Sequence, residues 1–201
     1  MSMHIIGITG PSGSGKSMFS QLLRRYHISC VDADALYHSM LIPPSPCLTR
    51  IAQVFGNDVL CADGSLDRNR LSTIVFHDDA QLQKLNQTVL PMVIDEIRRL
   101  IADAQTRGEA YFAVDAPTLI ESGFYRECHT KIVIVADDQT RIKRIMKRDD
   151  ISEEKASERI LAQKPLSFYT AIADYVIQNN ASSEEFLQEA EKVLKNILQS
   201  E

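Results

Sequence analysis

Gly10-Pro11-Ser12-Gly13-Ser14-Gly15-Lys16-Ser17 is the stretch that decides how this chain folds. An apolar run with Ile5, Ile6 and Ile8 precedes it, and Phe19, Leu22 and Leu23 follow at helical spacing. The whole therefore reads as strand, loop and helix. In that context G-x-x-x-x-G-K-[ST] predicts a phosphate-binding loop and a nucleoside triphosphate. Gly10, Gly13 and Gly15 let the backbone turn tightly and bring its N–H groups to the phosphates. Lys16 supplies a point charge for the β and γ oxygens, and Ser17 a hydroxyl for Mg²⁺. The following helix directs its positive N-terminus at the anion.

Working outward, β-type apolar runs recur at His4–Thr9, Ile28–Val31, Tyr111–Val114, Lys131–Ala136 and Tyr175–Gln178, with helical patterns between them. Strands alternating with helices imply βαβ units and a parallel sheet. Ser182 and Glu185 form an S-x-x-E capping box that starts a last helix, with Phe186, Ala190, Val193 and Ile197 as its buried stripe. Two stretches interrupt the alternation. Residues 36–108 are helical in pattern, including a long segment at 80–106, and 138–171 is rich in charge. The expected fold class is α/β, a P-loop NTPase-type three-layer fold with a parallel sheet, a helical substrate-binding insert and a helical lid. Residues 1–35, 109–137 and 172–201 would form the nucleotide-binding core, 36–108 the acceptor domain and 138–171 the lid.

Composition narrows the class. The chain has 201 residues, enough for one compact α/β unit with an insert. Its 22 basic and 27 acidic residues give a net charge of −5, which argues against a nucleic-acid partner. No apolar stretch spans a bilayer and no signal-peptide pattern opens the sequence, so no membrane partner is expected. Cys30, Cys47, Cys61 and Cys128 show no C-x-x-C pairing. They read as reduced thiols of a cytoplasmic protein rather than a disulfide frame or zinc site.

Asp32 and Asp34 follow the second strand immediately, where ligands of open parallel sheets gather. A carboxylate there accepts the proton of an attacking hydroxyl or holds Mg²⁺ through water. The same spacing also suits acidic caps of a helix over 35–41. Asp115 ends an apolar strand, as a Mg²⁺-orienting aspartate does, and a strand-end turn before Pro117 fits it equally. Arg141, Arg144 and Arg148 share one helix face. They form either a solvated face or a closing segment whose guanidinium groups repel one another until phosphates neutralise them. Glu153, Glu154 and Glu158 read as solvated helix face.

The chain resembles the dephospho-CoA kinases over nearly its whole length. The matching pieces are Thr9-Gly10 through Ser17; Val31-Asp32-Ala33-Asp34; Phe55-Gly56; Ala62-Asp63-Gly64-Ser65-Leu66-Asp67-Arg68 with Leu71; and Val75-Phe76. They continue with Pro117 and Glu121, Arg144 through Arg148-Asp149, Arg159-Ile160 with Gln163, and Ala173-Asp174-Tyr175-Val176-Ile177 with Asn179. The resemblance implies transfer of the ATP γ-phosphate to the 3′-hydroxyl of dephospho-CoA, with Mg²⁺, in a monomer or small homo-oligomer. It implies Asp34 as base, with Lys16 and Arg144 also catalytic. The ATP site would take in Gly10, Ser12, Gly13, Ser14, Gly15, Lys16, Ser17, Met18, Arg144 and Asn179, the last near the adenine. Asp34, Arg68 and Glu121 would meet the acceptor, and Ser17 and Asp115 the metal.

The chain departs from the family pattern at Pro11-Ser12 (usually Gly-Ile), Leu90 before Pro91 (commonly His), Thr118 (a leucine) and 164–171, which holds one basic residue. Pro11 has no N–H, so one phosphate donor is missing. A GTPase-type switch lacks its N-K-x-D segment here, since Asn179-Asn180-Ala181-Ser182 does not supply it. A kinase for another small hydroxyl acceptor and a non-catalytic nucleotide-binding module remain the alternatives.

Overall fold

The computed structural model describes residues 3–75 and 78–199. In chain order the elements begin β1 (His4–Thr9), α1 (Lys16–Arg25), β2 (Ser29–Asp32), α2 (Ala33–Met40), α3 (Pro46–Phe55), α4 (Arg68–Val75) and α5 (Asp79–Thr106). They continue β3 (Tyr111–Asp115), β4 (Thr130–Val135), α6 (Asp138–Asp149), α7 (Glu153–Leu161), α8 (Leu166–Thr170), β5 (Tyr175–Gln178) and α9 (Ser183–Gln199). The chain divides into two compact units, Met1–Val31 with Asp103–Glu201, and Asp32–Ala102. Phe76, part of the family-like Val75-Phe76 piece, lies outside the described residues.

The first unit is built on a five-stranded sheet in the order β2-β3-β1-β4-β5. β1 pairs in parallel with β3 and β4, and β4 with β5. Both faces are covered, so β3 and β4 are almost wholly buried rather than alternating. Register sets the site. Ile8 lies opposite Asp115, Thr9 opposite Val133, and Val135 opposite Gln178. The residues that follow β1, β3, β4 and β5 therefore emerge along one carboxyl edge, beside the point where strand order reverses around β1.

Packing follows the sequence pattern. Phe19, Leu22 and Leu23 of α1 are buried against Ile6 and Ile8 of β1 and against Phe186, Ala190 and Leu194 of α9. Complete burial of a side chain such as Phe19 contributes about 1.5–3 kcal/mol. The α9 capping box forms as expected, with Glu185 N–H donating to Ser182 Oγ at 3.2 Å and Ser182 N–H to Glu185 Oε2 at 3.3 Å. The predicted strands stand, with shifts of one residue at several ends. β2 runs on into Asp32, so that carboxylate closes its strand rather than following it, and Asp115 ends β3 as its sequence position implies.

The second unit is helical, with a core of Leu41, Cys47, Leu48, Ile51, Val59, Leu71 and Val89. Its one extended contact among the described residues is an isolated bridge between Leu60 and Leu66. Pro91 sits inside the 28-residue α5 and cannot donate to the carbonyl of Gln87, which loosens the helix there. All four cysteines are free, and burial pushes the Cys47 and Cys128 thiols up, the latter to about 12.

Candidate active site

The phosphate loop leaves β1 and enters α1 through two glycines with no substitute. Gly10 has φ 144°, and a Cβ there would collide with the Ile134 carbonyl in β4. Gly15 has φ 94°, and a Cβ there would run into the Asn179 carboxamide. Both the positive φ and the close approach demand glycine. Lys16 folds back across the loop, its Nζ donating to Gly10 O at 2.7 Å and Pro11 O at 3.4 Å. Ser17 is exposed in the first turn of α1, where no side chain caps the helix.

The loop carbonyls are held from outside. Arg141 Nε donates to Ser12 O at 3.0 Å, and Arg144 Nη1 to Gly13 O and Ser14 O at 3.3 Å each. Asn179 Nδ2 donates to Ser14 O at 2.8 Å. In a trans peptide the N–H points opposite to the C=O. Anchoring the carbonyls of residues 12–14 on the arginine side therefore turns the N–H groups of Gly13, Ser14 and Gly15 to the other face. Of these, Ser14 N–H makes a long turn bond of 3.3 Å to Pro11 O. This arrangement is a backbone nest for an anion.

Asn179 and Arg144 are bound to one another. Arg144 Nη2 donates to both the backbone O and Oδ1 of Asn179, each at 3.0 Å. Asn179 is wholly buried just past β5, and its own N–H reaches Val135 O. Burial pulls the Arg144 guanidinium below its ordinary pKa, and Asp137 works against that. Asp137 caps α6 by accepting from Thr140 N–H at 2.8 Å, which with the Thr140 hydroxyl holds its carboxyl below the usual range.

The repulsion expected among the helix-face arginines is not what these side chains do. Arg141, buried, pairs with Asp138 at 2.8 Å. Arg148 and Arg159 both pair with Asp149, whose carboxyl is lowered to about 2, chiefly by the Arg148 hydrogen bond. Carboxylates within the same segment neutralise the face, and loop carbonyls take up the remaining donors. Glu153, Glu154 and Glu158 are exposed, in keeping with a solvated face.

Asp115 closes β3, buried, and its Oδ2 accepts from Ser20 Oγ at 2.7 Å. Ser20 lies three residues beyond Ser17 on the same face of α1. A hydroxyl and a carboxylate on this face are hard oxygen donors, the set Mg²⁺ prefers. It is usually held by one or two protein oxygens plus substrate phosphates rather than by a protein cage. No cluster of three His, Cys, Asp or Glu suited to a metal occurs among the described residues.

The structure thus gathers Gly10, Ser12, Gly13, Ser14, Gly15, Lys16, Ser17, Met18, Asp115, Arg144 and Asn179 in the first unit. Glu121 belongs to the same unit, exposed, and its charge helps burial to raise the Tyr169 hydroxyl. Asp34 and Arg68 belong to the second unit. Asp32 realises the cap reading, with Oδ1 accepting from Asp34 N–H and Ala35 N–H at 3.0 Å each. Asp34 is exposed in the first turn of α2. Arg68 opens α4 and lowers Tyr37, whose hydroxyl burial and Cys47 push up to about 12. Three further contributors have no site role assigned from sequence. Arg141 reads there only as part of a shared helix face and Gln163 only as a piece of the family resemblance, whereas Ser20 carries no sequence signal.

A parallel sheet with a phosphate loop after its central strand, faced by arginines from a helical segment, defines a P-loop kinase. The sequence model described as dephospho-CoA kinase matches residues 4–185. The chain belongs to the dephospho-CoA kinase family. It is 36% identical to the dephospho-CoA kinase of Bacillus cereus over 192 residues, covering 96% of each chain. Among solved structures it is similar to TT1252 from Thermus thermophilus, with TM-score 0.82, 30% identity and full coverage of both chains. It is also similar to dephospho-CoA kinase from Campylobacter jejuni, with TM-score 0.71, 27% identity and 98% coverage of each.

Proposed function

We propose that this protein phosphorylates the ribose 3′-hydroxyl of dephospho-CoA with ATP, giving coenzyme A and ADP, the last step of coenzyme A biosynthesis. The observation that carries the reading is the loop whose carbonyls are tied back at residues 12–14. That loop sits in a chain matched to the family from residue 4 to 185.

In this reading the nest of N–H groups at Gly13 to Gly15 and the Lys16 ammonium receive the β and γ phosphates. Asp34 accepts the proton of the attacking 3′-hydroxyl. The acceptor oxygen then bonds to the γ phosphorus as the bond to the β–γ bridging oxygen breaks, and ADP leaves. Arg144 stabilises charge on the transferring group. Mg²⁺, when bound with ATP, neutralises phosphate charge, and Ser17 and Asp115 would hold it. Arg68 and Glu121 orient the acceptor, residues 36–108 contribute most of its binding surface, and closure of 138–171 excludes competing water. No helix of the described residues is long and apolar enough to cross a membrane. The free thiols support a reducing compartment, and the reading includes a cytoplasmic location.

The test is ADP release from ATP and Mg²⁺ against a panel of hydroxyl acceptors containing dephospho-CoA, nucleosides and sugars, with the product's phosphate position assigned by NMR. Turnover with dephospho-CoA and a new 3′-phosphate is the expected result. Turnover confined to another acceptor overturns it, and ATP binding without transfer to any acceptor leaves a nucleotide-binding module.

A further inference from the structure

Gln163 lies two residues beyond α7, yet its carboxamide oxygen reaches the phosphate loop. Gln163 Oε1 accepts from Ser12 N–H at 3.0 Å and from Arg141 Nη2 at 2.7 Å. Arg141 Nε in turn donates to Ser12 O at 3.0 Å. The amide and guanidinium thus grip both main-chain groups of one loop residue, as a neighbouring strand would. Pro11 has no N–H, so Ser12 carries the first amide donor of the loop after Gly10.

The two gripping residues come from opposite ends of one helical hairpin. Arg141 sits near the start of α6 and Gln163 just past the end of α7. Ile142, Ile145 and Ala156, with Met146 and Ile160 around them, pack the hairpin internally. Asp149 ties Arg148 to Arg159 across its turn. The hairpin is therefore packed as one piece, and its grip on Ser12 registers it against the loop.

We propose that Gln163 is a positioning residue for phosphoryl transfer. By holding Ser12 N–H and orienting Arg141, it fixes the loop conformation that presents the Gly13 to Gly15 amides. It also fixes the place of α6, which carries Arg144. The proposal rests on the kinase reading only for the choice of acceptor in the turnover assay.

The test compares wild type, Gln163→Met and Gln163→Glu as full-length proteins. Methionine keeps the length and removes the acceptor, whereas glutamate keeps it. Losing an acceptor that serves a charged donor changes affinity about 10–100-fold. Gln163→Met should therefore raise the MgATP Kd, and lower kcat/KM for ATP, by about tenfold or more. Its melting temperature should fall by no more than about 5 °C, since Arg141 keeps Ser12 O and Asp138 as partners. Gln163→Glu should recover ATP binding to within about threefold of wild type. A methionine variant with wild-type Kd and kcat/KM overturns the proposal. So does an equal loss in both variants that follows a larger fall in melting temperature, which marks a merely structural role. Calorimetric Kd values need no acceptor. If wild type fails to phosphorylate dephospho-CoA but the Kd pattern holds, the acceptor reading fails and the positioning role stands.

Discussion

Replacing Asn179 by alanine separates two roles, bracing the phosphate loop and contacting adenine. Its carboxamide is wholly buried, donating to Ser14 O at 2.8 Å and accepting from the Arg144 guanidinium at 3.0 Å. A neutral intramolecular hydrogen bond contributes about 1 kcal/mol net, and one to a charged group about 1.5–3 kcal/mol. Asn179→Ala removes one of each, so the loss should be about 2.5–4 kcal/mol. Some is recovered because Ser14 O keeps Arg144, and Arg144 keeps the Asn179 backbone carbonyl. At about 2–4 °C per kcal/mol for a chain of this size, the melting temperature should fall by roughly 5–15 °C. MgATP affinity should fall with it, because the Ser14 carbonyl is no longer anchored. Circular dichroism melts and calorimetric titration with MgATP measure both. Lost ATP affinity with an unchanged melting temperature would refute the bracing argument. It would favour the contact with adenine that the family resemblance implies.

Lys16→Ala should weaken ATP binding and reduce turnover by several orders of magnitude, read by calorimetry and coupled ADP release, because the ammonium that crosses the loop is lost. Asp34→Asn keeps shape and removes charge, so kcat should fall about 10²–10⁴-fold with little change in KM for ATP. A wild-type rate there, beside a dead Asp115→Asn, would move the essential carboxylate to β3. Asp149 has its folded pKa lowered to about 2 against an ordinary value near 3.9. Its stabilisation is therefore complete above about pH 4 and lost as pH falls through about 2. Urea unfolding of wild type and Asp149→Asn should differ at pH 6 and converge towards pH 2.

What the sequence by itself determined is local. Gly10 through Ser17 between an apolar run and a helical stripe specifies strand, loop and helix. Ser182 and Glu185 specify the start of α9. Each depends on residues within about a turn or a strand of one another, where spacing and backbone sterics act directly. Asp115 was legible as a carboxylate closing a strand, and Asp32 as one that could cap a helix, because chain position alone gives both. Their partners were another matter. Ser20 meets Asp115 across 95 residues, Gln163 meets Ser12 across 151, and Asn179 meets Ser14 across 165. Periodicity carries no record of which distant segment arrives at a given place. Sheet order and register do that, by setting the ends of β1, β3, β4 and β5 along one edge. The arginines of α6 show the same division. Their shared face followed from helical spacing. Whether that face meets solvent, phosphate or the carbonyls of the loop was decided by the packing that brings α6 beside β1's turn.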